Sequence, residues 1–308
     1  MLSFPRSALG CRWVAVAALA ATAMLAPAAQ AQGTDDSLTT ARGDEVTAPM
    51  RGRSGKLRLG VVRDSHPDAI GILQRLFGDS AVDRPGIYTI HSDIKSPFSL
   101  VRLLPFATKD RGQVGDYRLG RWPAEKRTPR SDAYVNPEGF IVVTPENQGT
   151  QISEHFRLSD FLTHNQESIW PKYLVLREAL IDKLELVIDQ LKVRGIRADQ
   201  VRVLSGFRTP DYNQQGVGRG GRARDSRHQF GDAADIFIDS NGDGRMDDLN
   251  HDGRVNTKDA KVLLQAVEQV EQEHPDLIGG AGLYRATRSH GPFVHVDVRG
   301  NRARWSRG

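Results

Sequence analysis

Near position 150 the hydrophobic period of this 308-residue chain changes. Between 56 and 144 the apolar residues fall in short, β-prone runs: "LRLGVV", "GIYTIH", "FSLVRLLPF", "DYRLGRW" and "GFIVVT". Turn-rich stretches such as "DRPG" and "VNPEG" separate them, the pattern of short strands. From 153 the spacing becomes helical. "PKYLVLREALIDKLELVIDQLKVRG" sets Leu176, Leu180, Leu184, Val187 and Leu191 on one stripe, with Pro171 at its start and Gly195 at its end. A strand "VRVLSGF" at 201–207, a second helix through "TKDAKVLLQAVEQVEQEH" and a final strand "PFVHVDVRG" at 292–300 follow. These patterns predict an α+β fold. A small mostly-β domain over 56–150, with one helix at "HPDAIGILQRLFG", precedes an α+β domain over 151–308.

The first 31 residues have the form of an export signal. Arg6 and Arg12 precede the apolar run "WVAVAALAATAMLA", and "APAAQA" ends on small residues. That run is shorter than the roughly 20 residues a bilayer span needs, so cleavage with no stable membrane anchor is expected. The expected location is periplasmic or secreted. The formal net charge of +4 loses two charges with this segment, leaving +2, which gives no electrostatic case for nucleic acid. The single cysteine, Cys11, leaves too, so any metal site must use His, Asp, Glu or backbone oxygens. The polar stretch 32–55 reads as a disordered tether.

Chemistry concentrates in the second half. Along "FVHVDV", Val294, Val296 and Val298 share one face, and Phe293, His295 and Asp297 share the other. Along "DAADIFID", Asp235, Phe237 and Asp239 share a face in the same way. His228 lies seven residues before Asp235 in "DSRHQFGDAAD", where Gly231, Ala233 and Ala234 keep the backbone slim. Either this is a turn entering a buried strand, or His228, Asp235 and His295 hold a metal ion. A catalytic zinc takes three such ligands and keeps a position for water.

Three motifs in order, "LSGFRTPDYN", "SRHQFGDAADI" and "GPFVHVDVRG", resemble peptidase family M15, the zinc-dependent D-Ala-D-Ala carboxypeptidases and peptidoglycan endopeptidases. The closest likeness is to the M15A type and covers about half the chain, from 153 to 308. The family signature S-x-H-x-x-G-x-A-x-D is matched at Ser226, His228, Gly231, Ala233 and Asp235. The resemblance implies a zinc-peptidase-like antiparallel sheet with helices, and zinc on His228, Asp235 and His295. It implies that Arg208 stabilises the oxyanion and contacts substrate, and that Ser226 binds substrate. Many members carry an acidic general base three positions before the last zinc histidine. Here that position is Pro292, so Asp297, and next to it His290, are the expected substitutes. Asp297 is alternatively a residue that orients a zinc ligand.

Between these motifs lies an acidic insert, 239–259. Asp239, Asn241, Asp243, Arg245, Asp247 and Asn250 occupy positions 1, 3, 5, 7, 9 and 12 of an EF-hand or dockerin-like calcium loop, with Gly244 at 6. A second, overlapping loop places Asp248, Asn250, Asp252, Arg254, Asn256 and Asp259 likewise, with Gly253 at 6. Neither loop ends in the bidentate Glu, so one or two weakly held Ca2+ ions with a structural role are expected. Gly216, Gly218 and Gly221 fit G-x-G-x-x-G, but outside the strand–turn–helix that a dinucleotide site requires. The resulting expectation is an exported zinc metallopeptidase acting on peptidoglycan. Its rivals are a non-catalytic, zinc-containing peptidoglycan-binding protein and a calcium-dependent interaction module.

Overall fold

The computed structural model describes residues 47–91, 96–218 and 221–307. The signal expected over 1–31, and the tether as far as 46, lie outside the described residues. The rest of the tether is not loose. A 3-10 turn, Ala48–Arg51, leads to Arg53 and Ser54, whose backbone N–H groups donate to the two Asp182 carboxylate oxygens at 2.6 and 2.9 Å. A buried acceptor that fixes successive amides gives a polar segment the order that its composition does not announce.

The fold is α+β. Strands β1 (Leu59–Val61), β2 (Gly86–Ile90) and β3 (Phe98–Arg102) form a sheet in the order β1-β3-β2, flanked by helix α1 (Pro67–Phe77). Strand β4 (Leu104–Pro105) precedes the hairpin β5 (Gln113–Val114) and β6 (Tyr117–Arg118). β4 then pairs with β7 (Gly139–Val143), which pairs with β8 (Lys172–Leu174). Helix α2 (Glu178–Val193) therefore begins seven residues later than Pro171 suggests. Tyr173 and Leu174 serve as a strand against Val142 and Ile141, and Leu176 falls outside the helix. The predicted stripe of Leu180, Leu184, Val187 and Leu191 is buried on α2. Leu57, Trp122 and Phe140 share one hydrophobic core with α2, so the core runs across position 150.

Strand β9 (Val201–Ser205), short helix α3 (Pro210–Gln215), strand β10 (Ala233–Ile238), helix α4 (Thr257–Glu273) and strands β11 (Gly280–Tyr284), β12 (Phe293–Asp297) and β13 (Ala303–Arg307) complete the chain. The five strands form one sheet in the order β13-β11-β12-β10-β9. All its pairs are antiparallel except β11 with β13. Ile236, Val294, Val296 and Ala281 face one way and are closed off by Leu263, Val267 and Val270 of α4. α2 packs against α4. Burying such side chains stabilises by roughly 1.5–3 kcal/mol each, which fixes the register of the opposite face. Among the described residues no helix is long and apolar enough to cross a membrane.

Candidate metal centre

The register pairs Asp235 with His295 and Asp235 with Ser205, so these side chains meet on the sheet face away from the helices. The third member comes from a 3-10 turn, Arg227–Phe230, that leads into β10. Two contacts fix that turn. Arg227 pairs with the fully buried Asp232 through Nε, at 3.1 Å, and Nη2, and its guanidinium lies over the Phe230 and Tyr134 rings. Trp122, from the first half of the chain, donates its indole N–H to Gln229 O at 2.7 Å. Gly231 closes the turn at φ 66°, and a Cβ there would lie 2.3 Å from Val175 O. Gly231→Ala is therefore expected to destabilise the fold by at least about 1–3 kcal/mol, read by urea denaturation of metal-free protein. Unchanged stability would show that this close approach does not hold the turn.

Three donor atoms converge: His228 Nε2, Asp235 Oδ1 and His295 Nδ1. Their separations are 2.9 Å from His295 to Asp235, 3.1 Å between the histidines and 3.2 Å from His228 to Asp235. Ligands of a tetrahedral zinc at about 2.0–2.1 Å stand about 3.3–3.4 Å apart, so the set needs only a few tenths of an ångström to open. The three residues are 1–6% exposed and form a group able to hold a metal ion. The far nitrogens are already committed. His228 Nδ1 bonds Gly206 O at 2.7 Å, and His295 Nε2 bonds Asp297 Oδ2 at 3.1 Å. Such partners set the tautomer and aim the other nitrogen at a metal.

Charge follows the same plan. Burial, reinforced by the Arg208 cation, pushes His228 down to about 4, leaving a neutral imidazole with a lone pair for a metal. Burial opposes ionisation of Asp235, but the two histidines and Arg208 hold its carboxyl well below the usual range. Burial also disfavours charge on His295, and its bonds to Asp235 and Asp297 overcome this and raise its pKa.

Arg208 lies beside the cluster. Its Nη2 donates to Asp235 Oδ2 and its Nε to Ser205 Oγ at 2.8 Å, with the side chain 13% exposed. Ser226 is buried at the head of the His228 turn and accepts Gln229 N–H through its carbonyl. His290 stands apart from the cluster; its Nδ1 meets Gly291 O at 2.8 Å and its ring meets Phe293 edge-on.

The expectation that Asp297 is the general base needs correction. It is fully buried, on the far side of the His295 ring from the donor set. Both its oxygens are engaged by Arg299, and Oδ1 also accepts Gly280 N–H at 2.7 Å. Burial alone would raise its pKa, but the bonds from His295 and Arg299 hold it far below the usual carboxylate range. Such a carboxylate orients His295 and is a poor proton acceptor. The rest of its surroundings is closed as well: the buried Lys183 Nζ donates to Asp297 O at 2.9 Å and to Glu271 at 2.6 Å.

Sequence reasoning missed Trp305, whose ring centroid lies 5.2 Å from that of His295. The indole lies across Gly282, where a Cβ would meet it at 2.2 Å. The signal was the glycine pair of "GAGLY", which marks a strand crossed closely by something large. The glycine-rich stretch after α3 is tied down at its far end by Arg307, which donates to Gly221 O at 2.9 Å. No protein-family model matches the chain, and no curated protein matches it.

Proposed function

We propose that the chain is an exported zinc metallopeptidase that hydrolyses peptide bonds in peptidoglycan stem peptides. The observation that carries this reading is the convergence of His228 Nε2, Asp235 Oδ1 and His295 Nδ1, with both opposite ring nitrogens held by Gly206 O and Asp297. Two imidazoles and one carboxylate, with no thiolate, match the donor set of a catalytic rather than a structural zinc. Zinc bound there supplies Lewis acidity for a carbonyl and lowers the pKa of a coordinated water to roughly 7.

The chain's own residues supply the rest. Arg208 is a fixed, largely shielded cation beside Asp235, and it stabilises negative charge developing on the substrate oxygen. Trp305 offers an apolar face next to His295 for the peptide to lie against. The three M15-like motifs and the signal-like leader support peptidoglycan as the substrate.

A second reading has one observation in its favour. Pro292 stands at the family's acidic position and Asp297 is not available as a base, which suits a metal-containing protein that binds the wall without cutting it. Muropeptide mass analysis of purified sacculi separates the two. New fragments are expected from zinc-loaded protein and none from a chelated sample, with the fragment masses naming the bond cut. Intact sacculi after incubation with folded, zinc-loaded protein would reject the peptidase reading.

A further inference from the structure

The acidic insert plays no part in the metal centre just described, and its chemistry is incomplete. Asp239 follows β10 directly, four residues on from Asp235, and is fully buried. Its Oδ2 is turned into the loop, accepting Gly244 N–H at 3.2 Å and the Arg202 guanidinium at 3.0 Å. Its Oδ1 is buried with no hydrogen-bond partner. Asp247 repeats this arrangement: Oδ2 accepts Ser240 N–H at 2.8 Å, and Oδ1 is buried and unpartnered. One short loop thus holds two buried carboxylate oxygens without a donor, a condition folded proteins rarely tolerate unless a cation or water completes it.

Other parts of the loop fit a cation. Gly242 and Gly244, at φ 78° and 79°, turn the chain sharply. Asn241 and Asp243 each accept the amide two residues on at 2.9 Å, which curls their side chains within the loop. The second loop differs. Asp248 gives both oxygens to amides of Asp252 and Gly253, and Asp259 caps α4 by accepting from Leu249, Asn250 and Asn256. Lys258 Nζ already stands on Asp252 at 3.1 Å. Its carboxylates have their partners.

We propose that the first loop binds a single hard divalent cation of the calcium class, through Asp239, Asp247, Asn241, Asp243 and the Arg245 carbonyl, and that this cation sets one wall of a hollow next to the strands that carry the metal centre. The wall is visible in the fold. Gly244, Arg245 and Met246 line a hollow of about 80 Å³ with Phe237, His290 and Pro292. Phe237 lies two residues from Asp235 on the same sheet face, and Pro292 leads into β12 toward His295. A cation that fixes 239–247 fixes what 289–292 rests against. This inference stands on the insert and holds whichever metal His228 and His295 take.

The test is a CaCl2 titration of the full chain by calorimetry, with hydrogen exchange followed in parallel. One calcium is expected per chain, with Kd roughly 10⁻⁴ to 10⁻³ M because Asn250 stands where a bidentate Glu would strengthen the site. Asp247→Asn, which keeps the loop's shape but removes a charge, is expected to weaken binding about tenfold or more. Asp252→Asn is expected to leave it within about twofold. Calcium should slow exchange at 244–246 and 289–291 in wild type, and not in Asp247→Asn. No calcium binding at about 10 mM, or binding lost through Asp252→Asn rather than Asp247→Asn, overturns the site. Calcium bound with no protection at 289–291 overturns the wall.

Discussion

His228→Ala is expected to strip the metal and to lower muropeptide release from sacculi by ~10³-fold or more, while the protein stays folded. The magnitude follows from what is lost. A metal that polarises a carbonyl and activates water contributes several kcal/mol to the transition state, and each 1.36 kcal/mol is a factor of ten. Two of three protein ligands do not keep an open zinc site loaded when the third is replaced by a methyl group. The fold survives because the His228 turn is held by other bonds. Arg227 stays on Asp232 and Trp122 on Gln229 O, while the contacts removed are the bond to Gly206 O and those of Nε2 with His295 and Asp235. The measurement pairs elemental analysis of zinc with fragment release, and circular dichroism serves as the control. Full hydrolysis by the metal-free variant would sink the zinc reading, and full metal content would show that His228 is not a ligand.

The face on which this chemistry sits was legible in the sequence. Alternation alone puts Asp235 with Phe237, and His295 with Phe293, and the structure then registers Asp235 directly against His295. A period of two can only be read this way where one side of the strand is buried, and the valines and isoleucines of these strands meet that condition. The depth of Asp297 was not legible. β11 and β13, which cover the far side of His295, carry "GAGLY" and "ARWSR", too small or too polar to announce strands. β11 exists because β12 offers it an edge and β13 because β11 does, and in both cases the partner lies about 9 to 23 residues away in sequence. Helix α2 shows the same effect at its start. Lys172–Leu174 has enough apolar character for the helical stripe, but the unpaired edge of β7 recruits it as a strand. In the insert, spacing predicts two calcium-type loops alike, and only burial and hydrogen bonding distinguish the loop with unsatisfied oxygens from the one already capped.

Asp297→Asn is where the sequence-based and structure-based roles of one residue part. A general base acts in the reaction and little else, so its amide would leave metal content and stability intact and lower turnover alone. The geometry gives a different expectation. In the native protein Asp297 receives His295 Nε2, the Arg299 guanidinium and the Gly280 amide within one buried pocket. An amide puts an N–H group where at least one of those donors points, and it leaves the Arg299 cation, 20% exposed, without its counter-charge. Breaking a buried ion pair in this way costs about 3–5 kcal/mol, and exposure of Arg299 places the expected loss toward the lower end. His295 then loses the partner that aims Nδ1, so metal affinity should fall roughly 10–100-fold. Turnover measured at saturating zinc should recover much of what is lost at limiting zinc, because the altered step is metal capture rather than proton transfer. Zinc titration, urea denaturation and turnover on the same preparation read all three quantities. A variant with native stability and native zinc affinity but dead turnover would return Asp297 to the role of base and require it to reach the substrate. A variant that unfolds earlier, binds zinc weakly and works when zinc is abundant fixes it as the residue that holds His295 in place.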